Sequence, residues 1–87
     1  MKLKYDFVVN NVAGETVAVS VGNNGGFNGY IKLNETGAFI FNMLKKETTR
    51  EDIITALANE YPDAANSDIV ESVDELIEHL EKADLLA

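Results

Sequence analysis

The sequence contains no cysteine, which excludes disulfides, iron–sulfur clusters, thiolate zinc sites and a cysteine nucleophile together. A reducing, cytoplasmic setting is the expectation that fits such a chain. Histidine occurs once, at His79, and proline once, at Pro62. No apolar run approaches the roughly 18 residues that a membrane span needs. The first residues, Met1-Lys2-Leu3-Lys4-Tyr5-Asp6, carry charge with no apolar stretch after them, so a soluble protein without a signal peptide is expected. Basic residues are also scarce: seven Lys and Arg stand against fifteen Asp and Glu, for a net charge of −8.

That charge is unevenly placed. Residues 1–46 carry a net +2 and residues 47–87 a net −10. The acidic second half repels nucleic-acid phosphates and favours neutral or cationic partners; its plain reading is a solvated helical surface. Eighty-seven residues, 46 % of them hydrophobic and 25 % charged, suit a single globular domain spanning 1–87. A domain of this size buries only about 60–65 % of the surface its unfolded chain exposes, so most apolar residues are needed for the core.

The first third has the two-residue period of strands. Tyr5, Phe7 and Val9 alternate, a turn-like Val12-Ala13-Gly14-Glu15 follows, and Thr16 to Val21 places Val17, Val19 and Val21 on one face. This is the pattern of a sheet with one buried and one wet face. Residues 22–29 hold four of the six glycines and three asparagines, residues that tolerate positive φ, and read as a hairpin loop. No phosphate cradle is expected there, because no GxGxxG spacing occurs and the next element is a strand. That third strand is Tyr30-Ile31-Lys32-Leu33, with Ile31 and Leu33 on one face.

At Asn34 the period becomes helical. Asn34 is a good N-cap, Glu35 suits the first turn, and helix one is expected to reach about Lys46 with Lys45 and Lys46 at its end. Thr48 or Thr49 starts helix two, which carries Ile53, Ala56, Leu57 and Tyr61 and stops at Pro62. Ser67 is expected to cap helix three, which runs to about Ala83 with a stripe of Val70, Val73, Ile77 and Leu80, broadened by Ile69 and Leu76. The expected fold is therefore α+β: a three-stranded antiparallel sheet (about 4–33) followed by three helices (about 34–83), a winged helix-turn-helix-like plan.

Catalysis needs a positioned base, nucleophile or metal, and the sequence offers none in context. His79 lies on the acidic helix, where a surface position is the ordinary reading, and Ser20, Ser67 and Ser72 lack a nucleophile elbow. The helix-three acids radiate around a helix instead of converging from a loop, so no metal or cofactor site is expected. DNA binding is not expected either. A recognition helix needs Arg, Lys, Asn or Gln on its exposed face, and helix three presents Asp68, Glu71, Asp74, Glu75, Glu78 and Glu81. Recognition of protein or peptide remains, through an open sheet edge and a broad apolar helix. The same edge can pair with a second copy to give a homodimer.

The run from Gly29 to Ala38, with Ile40-Phe41 and Leu44, resembles a segment of the PqqD-like family. Thr49, Asp52, Ile53, Leu57 and Tyr61 are similar to the next family segment, and Val73, Ile77, Leu80 and Asp84-Leu85-Leu86 to its ending. The resemblance spans about residues 14–87. Two departures stand out: a frequent family tryptophan is Phe41 here, and the glycine before the terminal leucines is Asp84. The resemblance implies a peptide-recognition element for ribosomally made, modified peptides. Such a domain takes the leader of a precursor peptide as an added strand beside the third strand and against helix three, then presents it to a separate enzyme, often a radical S-adenosylmethionine protein. On this chain it implies peptide contacts from Tyr30, Ile31, Lys32 and Leu33 on the strand and from Val70, Val73, Asp74, Ile77 and Glu81 on the helix. The alternative from a different class is a structural or regulatory module that binds another folded protein.

Overall fold

A computed structural model describes residues 1–20 and 30–87. The glycine-rich loop 22–29 and Val21, read above as hairpin and strand, lie outside the described residues. Three strands precede three helices in the expected order: β1 (Phe7–Val12), β2 (Glu15–Ser20), β3 (Tyr30–Leu33), α1 (Glu35–Met43), α2 (Arg50–Glu60) and α3 (Asn66–Lys82). The strands form one antiparallel sheet in the order β1-β2-β3. β1 and β2 are joined by Ala13 and Gly14, at φ 53° and 83°. Two positive φ values in a two-residue connection mark a type I′ turn, whose twist matches the strands it joins.

The register sorts the sheet into two faces. Val9 pairs with Ala18 and Ala18 with Ile31, while Phe7 and Leu33 fall on the same side by the two-residue period. This face turns to the helices, and Phe7 and Ala18 are buried within the main core cluster. The valines of β2 lie on the other, outer face, where Val17 is buried at 8 % exposure but stands outside the main core cluster. Val8 pairs with Val19 and Val19 with Tyr30, and these three are 43 %, 38 % and 60 % exposed, whereas Ala18 is fully buried. Valine alternation thus reports strand geometry, favoured by branching at Cβ, and does not report which face is inside. The residue that meets the helices is the smallest in the strand.

The helices supply the rest of the core. Ile40, Phe41 and Leu44, Ile53 and Leu57, and Val73 and Leu80 are all fully buried. Phe41 meets Phe7 edge to face, with centroids 5.2 Å apart and planes at 87°, the geometry the ring quadrupole favours. Burying a side chain of this size stabilises by roughly 1.5–3 kcal/mol. No polar or charged residue is buried among the described residues.

Helix starts follow the sequence except at α3. Asn34 accepts a hydrogen bond from the Gly37 N–H at 2.7 Å, and Thr49 accepts one from the Asp52 N–H at 3.1 Å. α3 begins at Asn66 with Ala65 at its N-cap and no side-chain cap, so Ser67 lies inside the first turn instead of before it. α1 ends at Met43, earlier than expected. Lys45 and Lys46 lie past it, their N–H groups donating to the Asn42 and Met43 carbonyls in a tightened turn.

The ends of the described chain are tied together, a feature that local patterning did not signal. Leu3 forms a bridge with Leu86, and its N–H donates to the Leu44 carbonyl at 2.8 Å. The Lys4 N–H donates to Leu85 at 2.7 Å, and the Ala87 N–H to Lys2 at 2.8 Å. α3 closes with Asp84 in the left-handed region at φ 58°. The Leu85 N–H reaches the Leu80 carbonyl and the Asp84 N–H the Glu81 carbonyl, a Schellman closure that turns Leu85 into the core.

Two stability predictions follow from these junctions. A Cβ on Gly37 would stand 2.8 Å from the Asn34 Oδ1 that caps α1. Gly37→Ala should therefore not show the roughly 1 kcal/mol gain expected in a helix, because it displaces a cap of similar worth. In an Asn34→Ala background the same change should become stabilising, a sign reversal that a double-mutant cycle by urea denaturation reads directly. At the other end, Asp84→Val should destabilise by roughly 1–2 kcal/mol through its left-handed backbone, while Asp84→Gly should not lower the thermal midpoint. A tolerated valine would show that this residue is not held left-handed in solution.

Candidate functional site

Among the described residues β3 is an edge strand, paired with β2 alone. Along it, alternate residues aim their N–H and C=O groups away from β2. Beside that edge lies a cleft of about 380 Å³. Ile31, Lys32 and Leu33 line it from the strand, and Asn34, Thr36 and Gly37 from the start of α1. Ser72, Glu75, Leu76 and His79 close the other side from α3. These four recur at i, i+3, i+4 and i+7, which is one face of a helix. The cleft therefore has an apolar floor of Ile31, Leu33 and Leu76, each half-buried.

Of the residues expected on the strand side, the structure brings Ile31, Lys32 and Leu33 together, while Tyr30 stands exposed on the outer face of the sheet. The helix-side residues expected from the sequence do not line this cleft. Val73 is fully buried in the core and Val70 is half-buried elsewhere on the helix. Ile77 and Glu81 border a separate cavity of about 360 Å³ with Met1, Leu86 and Ala87. Asp74 is occupied by Arg50, whose Nε and Nη2 donate to its two carboxylate oxygens at 2.7 and 3.0 Å.

The reason for the shift lies in the helix phase. The buried face of α3 is set by Ile69, Val73 and Leu80, a stripe that starts at Ile69 and not at Val70. Val73 and Leu80 belong to both stripes, so exchanging Val70 for Ile69 turns the core face by only part of the roughly 100° that one residue spans. That is enough to aim Leu76 toward β3 with Ser72, Glu75 and His79 beside it. The signal was present in Ile69 and Leu76, which a stripe built on Val70, Val73 and Ile77 leaves as surplus. Arg50 carried a signal as well. A cation in the first turn of a helix opposes the dipole, and such a residue calls for an anionic partner.

The charges around the cleft are few. Lys32 Nζ lies 3.6 Å from Glu15 on the outer face of the sheet. Glu75 makes no ion pair among the described residues, while Glu78 is engaged by Lys82 at 2.9 Å. Away from the cleft, the Arg50 guanidinium holds the Asp74 carboxyl below its ordinary range through a hydrogen bond and charge, and Asp74 in turn raises Arg50. A carboxyl lowered on folding contributes stability above its unfolded pKa, and that contribution is lost as pH falls through the lower folded value. The pair fastens the start of α2 to α3 and so fixes the helix phase just described. Among the described residues no three His, Asp or Glu side chains gather as a ligand set for a metal ion. No helix among them is long and apolar enough to cross a membrane.

Known proteins place this geometry in context. A solved structure titled "TbiB1 in Complex with the TbiA(beta) Leader Peptide" superposes with a TM-score of 0.70, covering 99 % of this chain and 94 % of that one at 21 % identity. At that identity the likeness establishes the shared fold. No curated protein sequence matches the chain significantly. A family model described as coenzyme PQQ synthesis protein D (PqqD) matches residues 8–86, nearly the whole length, and the chain belongs to the PqqD family.

Proposed function

We propose that this protein binds the leader segment of a ribosomally made precursor peptide as a fourth strand beside β3, in the cleft closed by α3. The observation that carries this reading is the juxtaposition of a one-sided edge strand with a cleft of about 380 Å³ that has an apolar floor. Strand addition gives affinity through main-chain hydrogen bonds and selectivity through pockets for alternate side chains. The edge supplies the first, and Ile31, Leu33 and Leu76 with Ser72, Glu75 and His79 supply the second. Family membership and a fold shared with a protein whose structure is solved in complex with a leader peptide support the same conclusion. No chemistry on the peptide is assigned to this chain. In this reading it holds the leader while a separate enzyme, of the radical S-adenosylmethionine type by family resemblance, modifies the remainder.

The same edge could instead join a second copy, and the two uses compete for one set of hydrogen bonds. Adding leader should then dissociate any dimer.

Titrating the isotope-labelled protein with the leader of its cognate precursor should shift backbone amides of residues 30–34 and of 72–79 on α3. Leu76→Glu should weaken that binding about tenfold or more by placing a charge on the apolar floor. Glu71→Ala, an exposed change on α3 outside the cleft, should leave affinity within about twofold. Shifts confined to the outer face of the sheet, or loss of binding on changing Glu71 but not Leu76, would reject the site.

A further inference from the structure

The cleft also specifies the chemistry of the segment it takes, and this inference rests on the strand-addition reading above. We infer that the bound segment carries an aliphatic residue and, two positions away on the same face, a lysine or arginine, with Glu75 as the specificity-determining residue.

A strand added beside β3 alternates its side chains between the two faces of the sheet. One set enters the cleft, where Ile31, Leu33 and Leu76 offer an apolar seat. The next residue of that same set lies two positions on, roughly 6.6 Å away along a strand. On α3, Glu75 directly precedes Leu76 and both line the cleft, so an inward side chain next to the aliphatic one meets a carboxylate.

That carboxylate is uncommitted. Elsewhere on α3, Asp74 is held by Arg50 and Glu78 by Lys82, but Glu75 has no ion pair among the described residues. The cation on the strand side does not satisfy it either: Lys32 has its nearest carboxylate in Glu15, across on the outer face. His79 is the remaining titratable group of the cleft, one turn beyond Glu75 on the same stripe. The wider field agrees in sign. Residues 47–87 carry a net −10, and a strongly acidic surface steers cationic segments toward it. An acidic segment would meet repulsion from both the helix surface and Glu75.

A random-sequence peptide library displayed on phage, selected against the intact protein, tests this. The selected peptides should share an aliphatic residue with Lys or Arg two positions away, and a synthetic copy of the best should shift amides of residues 30–34. Glu75→Gln should weaken that peptide roughly two- to fivefold, with the difference shrinking at high salt. Glu75→Lys should redirect selection toward Asp or Glu at the same position. Peptides that bind at the β3 edge without a basic preference, or with one indifferent to Glu75→Lys, overturn the inference and leave strand addition standing. Failure to select any peptide that shifts residues 30–34 overturns both.

Discussion

The strand-to-helix junction at Asn34 is the constraint on which the rest of the site depends. β3 ends at Leu33 and α1 begins at Glu35, so a single residue must both leave the sheet and open the helix. Asn34 does this with an extended backbone at φ −85°, ψ −179°, while its side-chain oxygen accepts from the Gly37 N–H and the Thr36 hydroxyl. A glycine at the third helical position is then a steric requirement, since any Cβ would press on the capping oxygen. The junction directs the core face of α1, with Ile40 and Phe41, under the sheet. It also places one wall of the cleft, because Asn34, Thr36 and Gly37 continue the lining begun by β3. An apolar edge strand and a packed helix thus share one rigid corner.

The opposite wall depends on how α3 is rotated, and two kinds of force set that rotation. Ile69, Val73 and Leu80 bury their side chains nearly completely, which fixes the helix face toward the core to within a residue. The Arg50–Asp74 pair adds direction, because a bidentate guanidinium–carboxylate contact accepts only a narrow range of geometries. Both groups are about half exposed, so the pair contributes orientation more than stability. With the phase fixed, Leu76 faces β3 and Ile77 faces away, although the two are neighbours in sequence.

Much of this was legible before any coordinates. The six elements, the cap at Asn34, a cap at Thr48 or Thr49, the strand Tyr30–Leu33 and the resemblance to the PqqD family all follow from local patterns. What escaped depends on information that is not local. The outer position of the β2 valines is decided by pairing, because only the register shows that Ala18 sits between Val9 and Ile31 on the helix side. The phase of α3 escaped because Val70, Val73, Ile77 and Leu80 make an equally regular stripe, and only packing selects Ile69 over Val70. The bridge between Leu3 and Leu86 joins residues at opposite ends of the sequence and has no periodic signature.

An acidic helix at the third position of a winged-helix plan also explains how such a fold can serve a peptide instead of a nucleic acid. A groove-binding helix must present donors to base edges beside a phosphate backbone, and α3 presents carboxylates. An extended peptide makes no such demand. Its main chain is neutral and needs only an edge with free hydrogen-bonding groups, so the surrounding charge is left to act on side chains alone. Because any segment without proline offers the edge the same main-chain donors and acceptors, discrimination under the proposed strand addition must come from the few side chains that enter the cleft. In the proposed complex those side chains would meet three aliphatic residues and the Glu75 carboxylate, which has no ion pair among the described residues. The apolar contacts reward many sequences, and the carboxylate penalises those of the wrong sign. Under that proposal the sign of one charge, more than the shape of the floor, would separate one segment from another.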